Sequence, residues 1–126
     1  MPTLSAALWE AQGGVCWWCG QPLSPFAGGK LAATRDHVFP KSRTGPLGDV
    51  GVTLLAHRAC NAKRAASWPT DDDIRTLVRV WRRMPPELMH NWRRSALGQA
   101  CHHPNPHARA AAAFTALLLQ LLERRP

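Results

Sequence analysis

The sequence predicts an α+β protein in which a small hairpin-plus-helix core, stapled by a metal, occupies residues 1–68. A helical C-terminal region, residues 69–126, packs on that core as one compact unit. Three observations predict this. Two ligand pairs at x-x spacing, Cys16-Trp-Trp-Cys19 and His57-Arg-Ala-Cys60, bracket two short β-type runs. From Thr70 onward the apolar residues recur at helical spacing. Finally, 126 residues with 45% apolar content allow one modest core, for which a staple beyond hydrophobic burial is expected.

Leu4, Leu8 and Ala11 fall at helical spacing between an N-cap at Thr3 or Ser5 and a stop at Gly13-Gly14. A tight knuckle is expected over Val15 to Gly20, then a Gly/Pro/Ser-rich loop from Gln21 to Lys30. Leu31 to Phe39 is the first strand candidate. Lys41 to Gly51 reads as a loop through Gly45-Pro46, Gly48 and Gly51, and Val52 to Ala56 as the partner strand. Asn61 to Ser67 suits a short helix ending by Trp68-Pro69, with Asn61 as its N-cap.

Thr70-Asp-Asp-Asp73 is a capping box with acids at the positive helix end. Ile74, Leu77, Val78, Trp81 and Met84 form the apolar face of that helix, which Pro85-Pro86 ends. A second helix is expected over Glu87 to Leu97, stopped by Gly98, and a third from Asn105 (cap) and Pro106 to about Arg124. On the third, Phe114, Leu117, Leu118, Leu121 and Leu122 are expected to face a core, as are Trp81 and Trp92; Trp17 and Trp18 are expected to cover the metal and hairpin.

Lys+Arg 16 against Asp+Glu 8 gives a net charge of +8, which favours polyanionic partners, nucleic acid before an anionic membrane surface. The opening ten residues lack the basic stretch of a secretory signal, and the apolar run Ala110 to Leu122 is too short to span a bilayer. No membrane association is expected, and a reducing, cytoplasmic compartment is. There, clustered cysteines are more often metal ligands than disulfides. Cys16, Cys19, His57 and Cys60 together supply four donors for one tetrahedral zinc per chain. Four protein ligands leave no open position, so this zinc is structural. Cys101-His102-His103 and His107 lack a second pair in a Pro-rich, loop-like segment, and Cys101 is read as a spare thiol.

Between the pairs lies Arg35-Asp36-His37-Val38-Phe39-Pro40-Lys41-Ser42. Adjacent Asp and His on a strand point to opposite faces, so one can hold a hard cation while the other reaches a water. C-x-x-C, D-H-x-x-P-x-S, a strand, and a second pair followed directly by Asn61 resemble the HNH (ββα-metal) endonucleases over about residues 14 to 67. The resemblance implies a bacterial or phage-encoded DNA nickase in which His37 is the general base. Asp36 and Asn61 would hold a catalytic Mg or Mn ion. His57 stands where the family commonly has Cys. The family's central Asn, which braces the backbone behind the catalytic His, is Val52 here, with Thr53 or Asp49 as substitutes.

Arg35, Lys41, Arg43, Arg58, Lys63 and Arg64 surround the proposed site, and Arg75, Arg79 and Arg82 form a stripe on the 70–84 helix; all are candidates for phosphate contacts on double-stranded DNA. A homodimer or a larger nucleoprotein assembly is compatible with this reading. Two alternatives stand beside the nuclease: a non-catalytic, zinc-stapled DNA-binding module with a degenerate HNH site, and an interaction factor that uses the helical half.

Overall fold

The first helix, α1 (Leu4–Gln12), is capped by Thr3, whose hydroxyl accepts from the Ala6 N–H. It stops at Gly13, whose φ of 66° is the left-handed conformation that glycine adopts freely. The computed structural model describes residues 3–24, 32–40, 53–65 and 67–123, of which 91, 92, 95, 99, 100 and 123 are described by backbone alone. Leu31, Val52, Asp49, Lys41, Arg43 and the expected loops of 25–30 and 41–51 therefore lie outside the described residues.

The sheet has two antiparallel strands, β1 (Ala33–His37) and β2 (Thr53–His57), with Arg35 opposite Leu55 and His37 opposite Thr53. The first strand is shorter than the run Leu31 to Phe39 suggests, because Val38 and Phe39 turn away and bury in the core. The second continues to His57, one residue past the expected end at Ala56.

Two strands leave two open edges, and outward-pointing backbone groups on each are taken up by other parts of the chain. At β2 the Gln12 carboxamide brackets Leu55: Oε1 accepts from the Leu55 N–H (2.8 Å) and Nε2 donates to its carbonyl (2.9 Å). The Trp17 N–H donates to the same carbonyl at 3.0 Å. Gln12 Nε2 also donates to the Val15 carbonyl (3.0 Å), so α1, the knuckle and the sheet share one polar joint. Gln12→Ala leaves the buried Leu55 N–H without its acceptor, and a stability loss of about 2–3 kcal/mol is expected in urea unfolding. A loss below about 0.5 kcal/mol would show that this bracket holds nothing.

The next helix, α2 (Arg58–Arg64), begins three residues before the expected start at Asn61. His57, still extended, occupies the cap position, so Cys60 and Asn61 both sit inside the helix, and Asn61 is not its N-cap. Ala65, at φ 44°, ends the helix. Downstream, α3 (Asp71–Trp81) starts on the expected capping box: Thr70 Oγ1 accepts from the Asp73 N–H, and the Asp73 carboxylate accepts from the Thr70 N–H.

The following helix, α4 (Pro86–His102), does not stop at Gly98 but runs on through Cys101 and His102. One interior glycine costs only about 1 kcal/mol relative to alanine, less than the packing of α4 on the last helix returns. α5 (Pro106–Glu123) begins where expected, with Asn105 Oδ1 accepting from the His107 N–H at 2.8 Å. Its buried face, however, is Ala108, Ala111, Ala112, Thr115, Ala116 and Leu119. Leu118 and Leu122 pack at the margin, while Phe114, Leu117 and Leu121 are exposed, against expectation. A helix that is apolar nearly all round has no periodicity to choose its inner face, and small residues win where two helices pack closely.

One continuous core joins both halves of the chain: Leu8, Val38, Phe39 and Leu54 pack in the same cluster as Leu77, Trp81, Met89, Ala111 and Leu119. Trp81 is buried there as expected; the Trp92 side chain is outside the described residues. Phe39 bridges the halves edge-to-face, with ring centroids 5.5 Å from Trp68 and 6.0 Å from Phe114. Among the described residues, no helix is long and apolar enough to cross a membrane.

Candidate metal centre and hairpin site

The knuckle forms because Gly20, at φ 76°, lets the chain reverse and donate its N–H to the Cys16 carbonyl (3.0 Å). The Trp18 N–H points at Cys16 Sγ (3.4 Å), a contact that stabilises a thiolate. Across from the knuckle, His57 at the end of β2 and Cys60 in the first turn of α2 complete the group. The ligand atoms of Cys16, Cys19, His57 and Cys60 all lie within 4.8 Å of one another, close enough to hold a metal ion. Cys19 Sγ and Cys60 Sγ stand 3.3 and 3.7 Å from His57 Nδ1. The edges of a tetrahedral zinc site with these donors are about 3.5–3.8 Å.

The histidine tautomer agrees. His57 Nε2 is 2.8 Å from the Pro22 carbonyl, which can only accept, so Nε2 carries the proton and Nδ1 turns its lone pair toward the thiols. Burial pushes the Cys60 thiol up to about 12, reinforced by the neighbouring Cys19 and Cys16. Cys19 is lowered: burial opposes ionisation, but hydrogen bonds from the Gln21 backbone and the neighbouring thiols outweigh it. Thiols crowded in this way release their protons together when a cation takes their charge. The donor set is consistent with structural zinc. Among the described residues, Cys101, His102, His103 and His107 form no second group of this kind.

On the hairpin, Asp36 and His37 occupy alternate sides of β1, and their surroundings differ. Asp36 is 2% exposed and Arg64 3% exposed. Arg64 Nη1 donates to both Asp36 oxygens at 3.0 Å, and the Trp17 indole N–H donates to Oδ2 at 3.0 Å. Arg64 also donates to the carbonyls of His37 (3.2 Å), Val38 (2.8 Å) and Ser67 (3.1 Å), and its guanidinium carbon lies 4.9 Å from the Trp17 ring centroid. Burial raises the Asp36 carboxyl above the usual carboxylate range, against the opposing pull of Arg64 and the Trp17 indole.

This arrangement revises the expectation for Arg64. Its side chain is spent inside the protein and offers nothing to a phosphate; it braces the backbone carbonyls of His37 and Val38. Thr53 does not substitute for the missing Asn, since its buried hydroxyl has no hydrogen-bond partner among the described residues. Trp17 is buried against Arg64, whereas Trp18 is 43% exposed.

Asn61, one turn before Arg64, also reaches β1. Its Nδ2 donates to Thr34 Oγ1 (3.2 Å) and points at the Arg35 carbonyl (3.5 Å). Both partners accept, so the amide nitrogen faces the strand, and Oδ1 has no hydrogen-bond partner among the described residues. Of the candidate phosphate-binding residues, Arg35, Arg58, Lys63, Arg75, Arg79 and Arg82 are exposed. Arg75 pairs with Asp72, and Arg79 donates to Thr76 Oγ1 at 3.0 Å.

A buried ion pair gives a sharp expectation. Asp36→Ala strands a guanidinium in the core and is expected to cost about 3–5 kcal/mol in denaturant unfolding, most of it recovered in Asp36→Ala/Arg64→Met. A cost below 1 kcal/mol would place Asp36 outside the structural framework.

Three contributors left little trace in the sequence: the Gln12 bracket, the Trp17 indole and the inward-turned Arg64. Only the x-x positions of the knuckle and the packing side of α2 could have pointed to the last two. Comparison of the chain with known protein families, with curated proteins and with solved structures gave no match.

Proposed function

We propose that the chain binds double-stranded DNA and hydrolyses its phosphodiester bonds, nicking one strand per event, with His37 as general base. The observation that carries this reading is the junction of β1 and α2. His37 ends β1 with its carbonyl gripped by Arg64, and Asn61 lies against the same strand with Oδ1 open. Held at its backbone, the imidazole takes a proton from the attacking water. The new P–O bond forms as the P–O3′ bond breaks, and the departing 3′ oxygen takes a proton from solvent. The exposed Arg35, Arg58 and Lys63 flank this junction as phosphate contacts.

A hard cation, Mg or Mn, would neutralise the charge that develops on the phosphate. Asp36 as placed does not fit as its ligand, because both oxygens already accept from Arg64 or Trp17 behind a closed surface. No step is assigned to Asp36; Asn61 Oδ1 is the open oxygen.

The Asp36–Arg64 pair, together with Val52, favours a second reading, a metal-stapled DNA-binding module without catalysis. A supercoiled plasmid separates the two. The nuclease converts it to nicked circles with Mg or Mn, and EDTA stops the conversion. DNA binding with no nicking under either metal overturns the nuclease and leaves the binding module.

A further inference from the structure

Between the metal knuckle and α3 runs a cleft of ≈ 440 Å³. Its knuckle wall is Cys16 to Gly20 with the exposed Trp18; the facing wall carries Thr76, Arg79 and Val80 of α3 and Arg83 from the turn just after it. Among the described residues, no Asp or Glu lines it. Arg79, near the end of α3, and Arg83, just beyond it, are both exposed, and Glu10, which shares an adjoining groove with Arg83, makes no ion pair with it among the described residues.

A cleft of small-ligand size, lined by an exposed tryptophan on one wall and two exposed arginines on the other, matches one chemistry well. The indole offers a stacking face to a planar base, and the arginines offer charge-assisted donors to the phosphates on either side. A paired base keeps both faces in its own stack and has none to give, so the fitting base is an unpaired one. The protein's +8 charge draws the strand in. The backbone of the turn that carries Trp18 is fixed by the Gly20 and Trp18 contacts to Cys16, which lowers the ordering cost of the loop on binding.

We propose that this cleft is a binding subsite for an unpaired nucleotide of a nucleic-acid strand, with the base stacked on Trp18 and its phosphates held by Arg79 and Arg83. The proposal deepens the nucleic-acid reading above by naming the strand form that the protein engages beside its hairpin.

The test uses the full metal-loaded chain in a His37→Ala background, so that cleavage of the probe plays no part. A fluorescein-labelled 12-nucleotide single strand and the same sequence as a duplex are titrated by anisotropy at one fixed salt concentration. Trp18→Ala is expected to weaken single-strand binding about tenfold while duplex binding changes less than twofold. Trp18→Phe, which keeps an aromatic face, is expected to restore most of the loss. Arg79→Gln/Arg83→Gln is expected to weaken single-strand binding and flatten its salt dependence. Elemental analysis confirms that each variant keeps its metal. Equal losses on both probes, or no loss on the single strand, overturn the subsite. Plasmid nicking is scored separately: a chain that never nicks but shows this strand preference loses the nuclease and keeps the subsite.

Discussion

His37→Ala is expected to reduce nicking of supercoiled DNA by about 10²–10⁴-fold, the usual worth of a positioned general base. The structure makes this a clean experiment. What Arg64 holds is the His37 carbonyl, a backbone atom that alanine keeps, so the brace survives the substitution. His37 is half-buried and adds no apolar side chain to the core cluster that joins the two halves. Duplex affinity and metal content are therefore expected to match those of the parent, measured by anisotropy and elemental analysis. Nicking at the parental rate in His37→Ala would remove His37 from the reaction.

Cys60→Ser is expected to release the metal and to abolish cooperative folding. Structural zinc of this donor type contributes about 10–16 kcal/mol of apparent folding free energy, which exceeds the whole stability of most domains of this size. Because Leu8 and Leu54 share one core with Leu77 and Trp81, the loss is expected to spread to the helical half as a single transition. His57→Cys keeps four soft or borderline donors and is expected to keep the metal, at the smaller cost of the hydrogen bond to Pro22. An unchanged thermal midpoint in Cys60→Ser would show that the quartet is no staple.

The features legible in the sequence are those whose physics is local. The knuckle needs its x-x spacing, and the start of α3 needs a hydroxyl three residues before a carboxylate. Both are written in a few consecutive letters and both appear in the structure. Gly98 misled because a helix breaker is a matter of degree, set against packing that no local window contains. The inner face of α5 was unreadable because alanines and leucines share every side of that helix, and only its neighbour selects among them. The ligand role of Asp36 follows from the family resemblance alone, and an acid beside a histidine has the same letters whether it meets a cation or an arginine. The Arg64 side chain that answers the question comes from 28 residues downstream.

The engaged backbone groups at the sheet edges carry a consequence for assembly. Outward-pointing amides and carbonyls on a short sheet normally invite a strand from another molecule, the route to edge-to-edge polymerisation. Here the Leu55 rung is occupied by Gln12 and Trp17, and the carbonyls of Arg35 and His37 face Asn61 and Arg64. A strand from a second copy finds these groups already engaged. Self-association, where it occurs, is expected to respond more to changes at the exposed Leu117 and Leu121 than to changes at Leu55 of β2.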